Sequence, residues 1–126
     1  MKPEEVLHEL TSRGGFFVTV NNGNAVCEAR LEPGAPLRFR DGWATLNDEK
    51  RPWHIHAKLE AVREVRFAIE THDEKSGRKS YSVQFLGEGG GKVFAAYFAD
   101  MYDGDGKLKE ERLQEFQNLR DRYGRR

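Results

Sequence analysis

The stretch RPWHIHAKL, Arg51 to Leu59, sets two histidines two residues apart inside an alternating run. In a β-strand, residues two apart project to the same face, so His54 and His56 are expected to point together. Trp53, Ile55, Ala57 and Leu59 then face the opposite way, into a core. Two imidazoles on one strand face can ligate a metal, or one can serve as the axial ligand of haem iron. A pair of half-exposed sheet residues carries the same pattern, so the spacing alone leaves both readings open. Glu64 and Arg66 occupy the polar face of the next alternating run. If the two runs pair as a hairpin around Glu60 and Ala61, histidine and arginine share one surface. That combination suits an anionic, iron-bearing ligand, with imidazole for the metal and guanidinium for a carboxylate. An ordinary cross-strand charge ladder is the competing reading.

Other candidate chemistry is thinner. His8 and His72 are available to extend the pair to three ligands, but one falls on a predicted helix and the other in a polar turn. No cysteine or carboxylate stands at a spacing that makes a structural zinc site. GEGGGKV lacks the Ser or Thr and the following helix that a phosphate-binding loop requires, and reads as a hairpin connection. DMYDGDGKLKEE places Lys107 where a calcium loop needs an oxygen ligand, so it reads as a turn leading to a helix capped by Asp105. Ser80 and Ser82 have no nucleophile-elbow context, and Cys27 reads as a core position. No carboxylate pair sits in the apolar setting that a raised-pKa acid needs.

The elements that must position these residues follow from periodicity. KPEEVLHELTSRGG has Pro3 at a first helical position, Glu4 and Glu5 in the first turn, an apolar stripe of Val6, Leu7 and Leu10, and Gly14-Gly15 as a stop. From Phe16 to Asp100 the period changes to two. Asn22-Gly23 marks a hairpin between GFFVTV and AVCEARL, and Asp41-Gly42 marks another within LRFRDGWATL. Val65, Phe67 and Ile69 share one face, as do Tyr81, Val83 and Phe85. KVFAAYFA is apolar on both faces, as a central covered strand requires. A helix from about Lys107 buries Leu108, Leu113, Phe116, Leu119 and Tyr123. The expected fold is α+β: a single domain over residues 1–126, with a large antiparallel β-sheet flanked by N- and C-terminal helices.

Composition bounds the function class. The chain has 126 residues, enough for one core. A third of the residues are charged, yet eight Phe, four Tyr and two Trp with clear periodicity argue against disorder. Lys and Arg balance Asp and Glu at 21 each, so net charge calls for neither nucleic acid nor an anionic membrane. The basic end RDRYGRR reads as a solvated helix terminus. With one cysteine, an internal disulfide, a CxxC redox pair and a Cys-rich zinc site are excluded. No apolar run suits a signal peptide or membrane insertion. The expected setting is reducing and cytoplasmic, most simply that of a bacterium.

The segment from Asp41 to Gly104, with GWATL, WHIHAKLEAVREVRF and SYSVQFLGEGGGKVFAAYF in that order, resembles the HemS-, ChuX- and HutX-like haem-utilisation family. The resemblance covers about half the chain and lies in the order and texture of strands. It implies a large antiparallel sheet with flanking helices, built as two similar halves that come from tandem repeats or from the subunits of a homodimer. It also implies cytoplasmic haem binding, with a sheet histidine as iron ligand and basic residues at the propionates. Carried over by position, the iron ligand is His56 or His54, with His56 preferred because His54 lies closer to the strand start. Arg66 is the propionate candidate.

The leading expectation is therefore a haem carrier or buffer acting as a homodimer. A second is a non-catalytic module that binds a protein or small molecule on the same fold. A third, ranked below these, is a haem-degrading enzyme drawing on an external reductant, since the chain holds no flavin or nicotinamide motif.

Overall fold

The computed structural model describes residues 3–48, 50–73, 75 and 77–124. The N-terminal helix α1 (Pro3–Arg13) buries Val6, Leu7 and Leu10 as its stripe requires. It ends where Gly14 takes φ +66° and donates its N–H to Leu10 O at 2.9 Å, the left-handed closure that glycine permits. A Cβ at Gly14 would lie 2.3 Å from the Pro33 nitrogen, so glycine is required for close approach as well as for φ.

Eight strands follow: β1 (Phe16–Asn21), β2 (Val26–Leu31), β3 (Leu37–Arg40), β4 (Trp43–Leu46), β5 (Ile55–Lys58), β6 (Glu64–Asp73), β7 (Arg78–Leu86) and β8 (Lys92–Phe98). All pair antiparallel. The α+β fold expected from the pattern is the one observed, and helix α2 (Glu110–Leu119) closes it on the C-terminal side. By hydrogen bonding the strands form a five-stranded sheet in the order β2-β1-β8-β7-β6 and a three-stranded sheet in the order β3-β4-β5. The double-sided apolar strand β8 is the central one, as expected. Both predicted hairpins form, and Asn22 Oδ1 accepts from the Asn24 and Ala25 amides at 2.9 and 2.8 Å.

One core joins the two sheets and both helices. Phe16, Val18, Val83, Phe85, Phe94 and Ala96 come from the large sheet, while Ala44, Leu46 and Ala57 come from the inner face of the small one. Phe116 of α2 is fully buried and meets Phe67, Tyr81 and Phe98 edge-on, with ring centres 5.9, 5.2 and 5.3 Å away. Arg112, one turn earlier, donates to the carbonyls of Gly15 (2.7 Å) and Ala99 (2.9 Å) and to Glu115 (2.6 Å), tying the helix to the start of β1 and the end of β8. Glu9 of α1 accepts from Arg13, Arg122 and Tyr123. Burial pushes the Glu9 carboxyl up, but these partners outweigh it and hold the group below its ordinary range.

Three expectations are corrected. Cys27 is exposed rather than in the core. It shares a face with core residues, but β2 is an edge strand, and Val20, its partner on β1, is exposed as well (39%). Asp105 does not cap the C-terminal helix, which begins at Glu110 behind Lys109 with no side-chain cap. Instead Asp103 Oδ1 accepts from the amides of Asp105 and Lys107, so the loop closes on itself. The histidine strand and the Arg66 strand do not pair as a hairpin. Leu59 to Ala61 form a 3-10 turn, Leu59 is buried, and the Arg63 amide then bonds Leu86 O at 2.7 Å. That turn leads the chain out of the small sheet and onto the free edge of β7 in the large one.

No helix among the described residues is long and apolar enough to cross a membrane. Arg125 and Arg126 of the basic end lie outside the described residues.

Candidate functional site

The small sheet places the histidines. Alternation in β5 turns Ala57 inward and His56 and Lys58 outward, and Trp53 and Ile55 pack against the core as the sequence pattern requires. Both His54 and His56 are exposed, and their rings stand edge-to-face with centres 5.0 Å apart. The expectation that they point together is met. The Nδ1 atom of His56 is 2.9 Å from Thr45 Oγ1 on the adjacent strand. With that nitrogen engaged, Nε2 is the nitrogen of the exposed His56 ring left for a ligand.

Register shows what surrounds the pair. Arg38, Thr45 and His56 form one row across the three strands, and Arg40, Trp43 and Lys58 form the next. The outer face of the small sheet thus carries three cations and the His56 imidazole around a tryptophan that is 43% exposed, with the His54 ring beside His56 just ahead of β5. Among the described residues, Arg40 and Lys58 have loose carboxylate neighbours, Asp41 at 3.6 Å and Glu60 at 3.7 Å. Sequence reasoning missed Arg38, Arg40, Trp43 and Lys58. Their alternation was visible, but which strands neighbour β5 depends on β3-β4-β5 pairing, and no local signal in the β5 segment encodes it.

Arg66 is elsewhere. It lies on β6 opposite Gln84, on the face of the large sheet turned away from the core, with Glu64 at 3.4 Å. Of the sequence candidates the structure brings His54 and His56 together and places Arg66 on a different sheet. His8 sits on α1 with its ring 5.5 Å from Phe39, and His72 falls in β6 rather than in a turn. Among the described residues no cluster of three or more His, Cys, Asp or Glu converges on one point.

Two hollows flank this geometry. One of about 630 Å³ lies between α1 and the β3-β4 end of the small sheet, lined by Glu4, His8, Phe39, Trp43, Leu59 and Glu60 among others. The other, about 770 Å³, opens on the outward face of the large sheet, where Phe17, Thr19, Lys92 and Tyr97 line it. At its rim Arg30 donates to Asp100 at 2.7 Å, which holds the Asp100 carboxyl below the usual aspartate range.

Haem can be tested against the outer face of the small sheet. A haem needs one axial nitrogen, a flat apolar surface and cations for its two carboxylates. His56 is exposed with Nε2 left free by the Thr45 contact at Nδ1, Trp43 is in the next outward row, and Arg38, Arg40 and Lys58 share the face. The residues fit the group. Of the two imidazoles, His56 is the one that would hold the iron, with its ring fixed by Thr45.

A protein-family model matches residues 4–122 and agrees with a ChuX-like fold. No curated protein matches the chain in sequence. Among solved structures, the haem-binding protein ChuX superposes with a TM-score of 0.74 at 17% identity, covering 95% of this chain and 71% of its own. A protein of Agrobacterium tumefaciens gives 0.76 at 24%, covering 95% and 66%. One of Erwinia carotovora gives 0.77 at 17%, covering 95% and 70%. The chain spans about two thirds of the length of these proteins.

Proposed function

The chain belongs to the HemS-, ChuX- and HutX-like haem-utilisation family, and on that premise we propose that it binds haem on the outer face of its small sheet and acts as a cytoplasmic, homodimeric carrier or buffer. The observation that carries the reading is the grouping of His54, His56, Trp43, Arg38, Arg40 and Lys58 on one exposed face. Fold likeness to ChuX, which binds haem, supports it.

Haem, when bound, supplies the iron and the flat macrocycle. His56 offers Nε2 to the metal, and Thr45 fixes the ring by engaging Nδ1. The indole of Trp43 offers apolar area. At ~25 cal/mol per Å², a few hundred Å² of buried porphyrin gives several kcal/mol before ligation. The guanidiniums of Arg38 and Arg40 and the ammonium of Lys58 pair with carboxylates in an exposed setting, where each contributes about 1 kcal/mol or less. An open sheet face of this kind suits a protein that gives its ligand up. This reading leaves out Arg66, which lies on the other sheet.

The test is a haemin titration followed by absorbance, with wild type, His54→Ala, His56→Ala and Arg66→Ala. A saturable red-shifted Soret band is expected in wild type and Arg66→Ala and is lost in His56→Ala. No saturable shift in wild type, or the same shift in all four proteins, removes the site.

The second reading, a non-catalytic interaction module, draws on a different observation. The outward face of the large sheet is covered by neither helix, and rows such as Arg30-Phe17-Tyr97-Ser82 run across it. On that reading the large hollow is the binding surface, and Phe17→Ala or Tyr97→Ala abolishes partner or subunit association while both histidine variants leave it intact.

A further inference from the structure

We infer that His54 and His56 together form a bidentate site for a late first-row divalent cation of the Cu²⁺, Ni²⁺ and Zn²⁺ class. The inference shares residues with the haem reading but does not depend on it, because haem uses one ring and a chelate uses both.

The geometry supplies the argument. Metal–imidazole bonds are about 2.0–2.1 Å long, which puts a metal in line with a ring nitrogen roughly 3.2 Å from the ring centre. Two ring centres 5.0 Å apart then subtend about 100° at that metal, between the right angle of square-planar or octahedral coordination and the tetrahedral angle. With one nitrogen of each ring turned to a shared point, this exposed pair, its planes inclined at 72°, meets a bite angle that these ions accept, with water in the remaining positions. Thr45 Oγ1 at His56 Nδ1 fixes which nitrogen of His56 is presented, as an outer-shell partner does in metal sites.

The surroundings choose the class of ion. Arg38, Arg40 and Lys58 share the face, so a cation held by charge alone, such as Ca²⁺ or Mg²⁺, is repelled and finds no ring of oxygen ligands. An ion that bonds strongly to neutral imidazole is disfavoured less, and affinity should follow the order Cu²⁺ above Ni²⁺ and Zn²⁺. Because His56 has one nitrogen left for a ligand, metal and haem exclude each other wherever His56 is the haem ligand.

The experiment is calorimetric titration of the haem-free protein with Cu²⁺, using wild type, His54→Ala, His56→Ala and His8→Ala, with electron paramagnetic resonance to count bound nitrogens. One saturable site with two nitrogen ligands is expected in wild type and His8→Ala, weakened about tenfold or more in either of the other variants. If His54→Ala or His56→Ala binds Cu²⁺ as wild type does, the chelate is overturned, and a Soret band lost only in His56→Ala leaves the haem reading standing. Copper loss in both variants, with no saturable Soret shift in wild type, supports the chelate and removes the haem reading alone.

Discussion

Replacing Arg112 by Met tests how the C-terminal helix is held to the sheet. The side chain is only 15% exposed, and its guanidinium lies 5.1 Å from the ring centre of Phe98 and 5.7 Å from that of Phe16. Met retains much of the apolar stem that packs there. What it removes is the donor to Gly15 O and Ala99 O and the ion pair with Glu115, which keeps Arg13 as its other partner. Hydrogen bonds from a charged donor contribute about 1.5–3 kcal/mol each. Two facts lower the sum. Gly15 O still accepts from the Ala99 amide at 2.9 Å, and Arg112 Nε is buried without a partner, which already costs the native state. The net loss is then about 3 kcal/mol, or roughly 10 °C in Tm for a domain of this size. Arg112→Lys keeps the charge but has a single nitrogen in place of the fork, so it should recover about half of the loss. The assay is urea unfolding followed by circular dichroism, with the midpoint falling and the slope unchanged. A Met variant within about 0.5 kcal/mol of wild type refutes the reasoning, because such a value belongs to a surface substitution.

Phe116→Ala empties a fully buried ring site between Phe67, Tyr81 and Phe98 and should cost about 3–5 kcal/mol by urea unfolding; a loss below 1 kcal/mol would mean the site collapses freely. Arg30→Gln removes the partner that holds the Asp100 carboxyl low. A depressed carboxyl stabilises the fold above its unfolded pKa, and that contribution is lost as pH falls through the folded one. The variant should therefore be less stable than wild type at neutral pH, with the gap closing on acidification below the ordinary aspartate range near ~3.9; a gap independent of pH contradicts the assignment. Thr45→Val deletes the hydroxyl at His56 Nδ1 and should weaken haem binding about two- to tenfold, the ~0.5–1.5 kcal/mol of one hydrogen bond, while Thr45→Ser retains it. Equal affinities in Val and Ser variants show that Thr45 does not orient the ring.

Much of this molecule was written locally. The Pro3 and Gly14 boundaries of α1, the Asn22-Gly23 and Asp41-Gly42 hairpins, the doubly apolar β8 and the inward set Val65, Phe67, Val83 and Phe85 follow from dihedral preference and side-chain period, which act over a few residues. His54 and His56 standing together was also legible in the alternation, although β5 begins at Ile55 and His54 lies just ahead of it. Tertiary structure decided the rest. Whether β5 pairs with β4 or β6 turns on where the 3-10 turn at Leu59 sends the chain, and the turn follows from burying Leu59 rather than from any hairpin signal. That choice moved Arg66 away from the histidines and put Arg38, Arg40 and Trp43 beside them. Cys27 shows the same division: alternation set its face, and only its place on an edge strand of the assembled sheet left that face wet. Period and turn chemistry are properties of neighbours in sequence, whereas strand order and cover are set by which surfaces bury one another, and this candidate site is built from strand order.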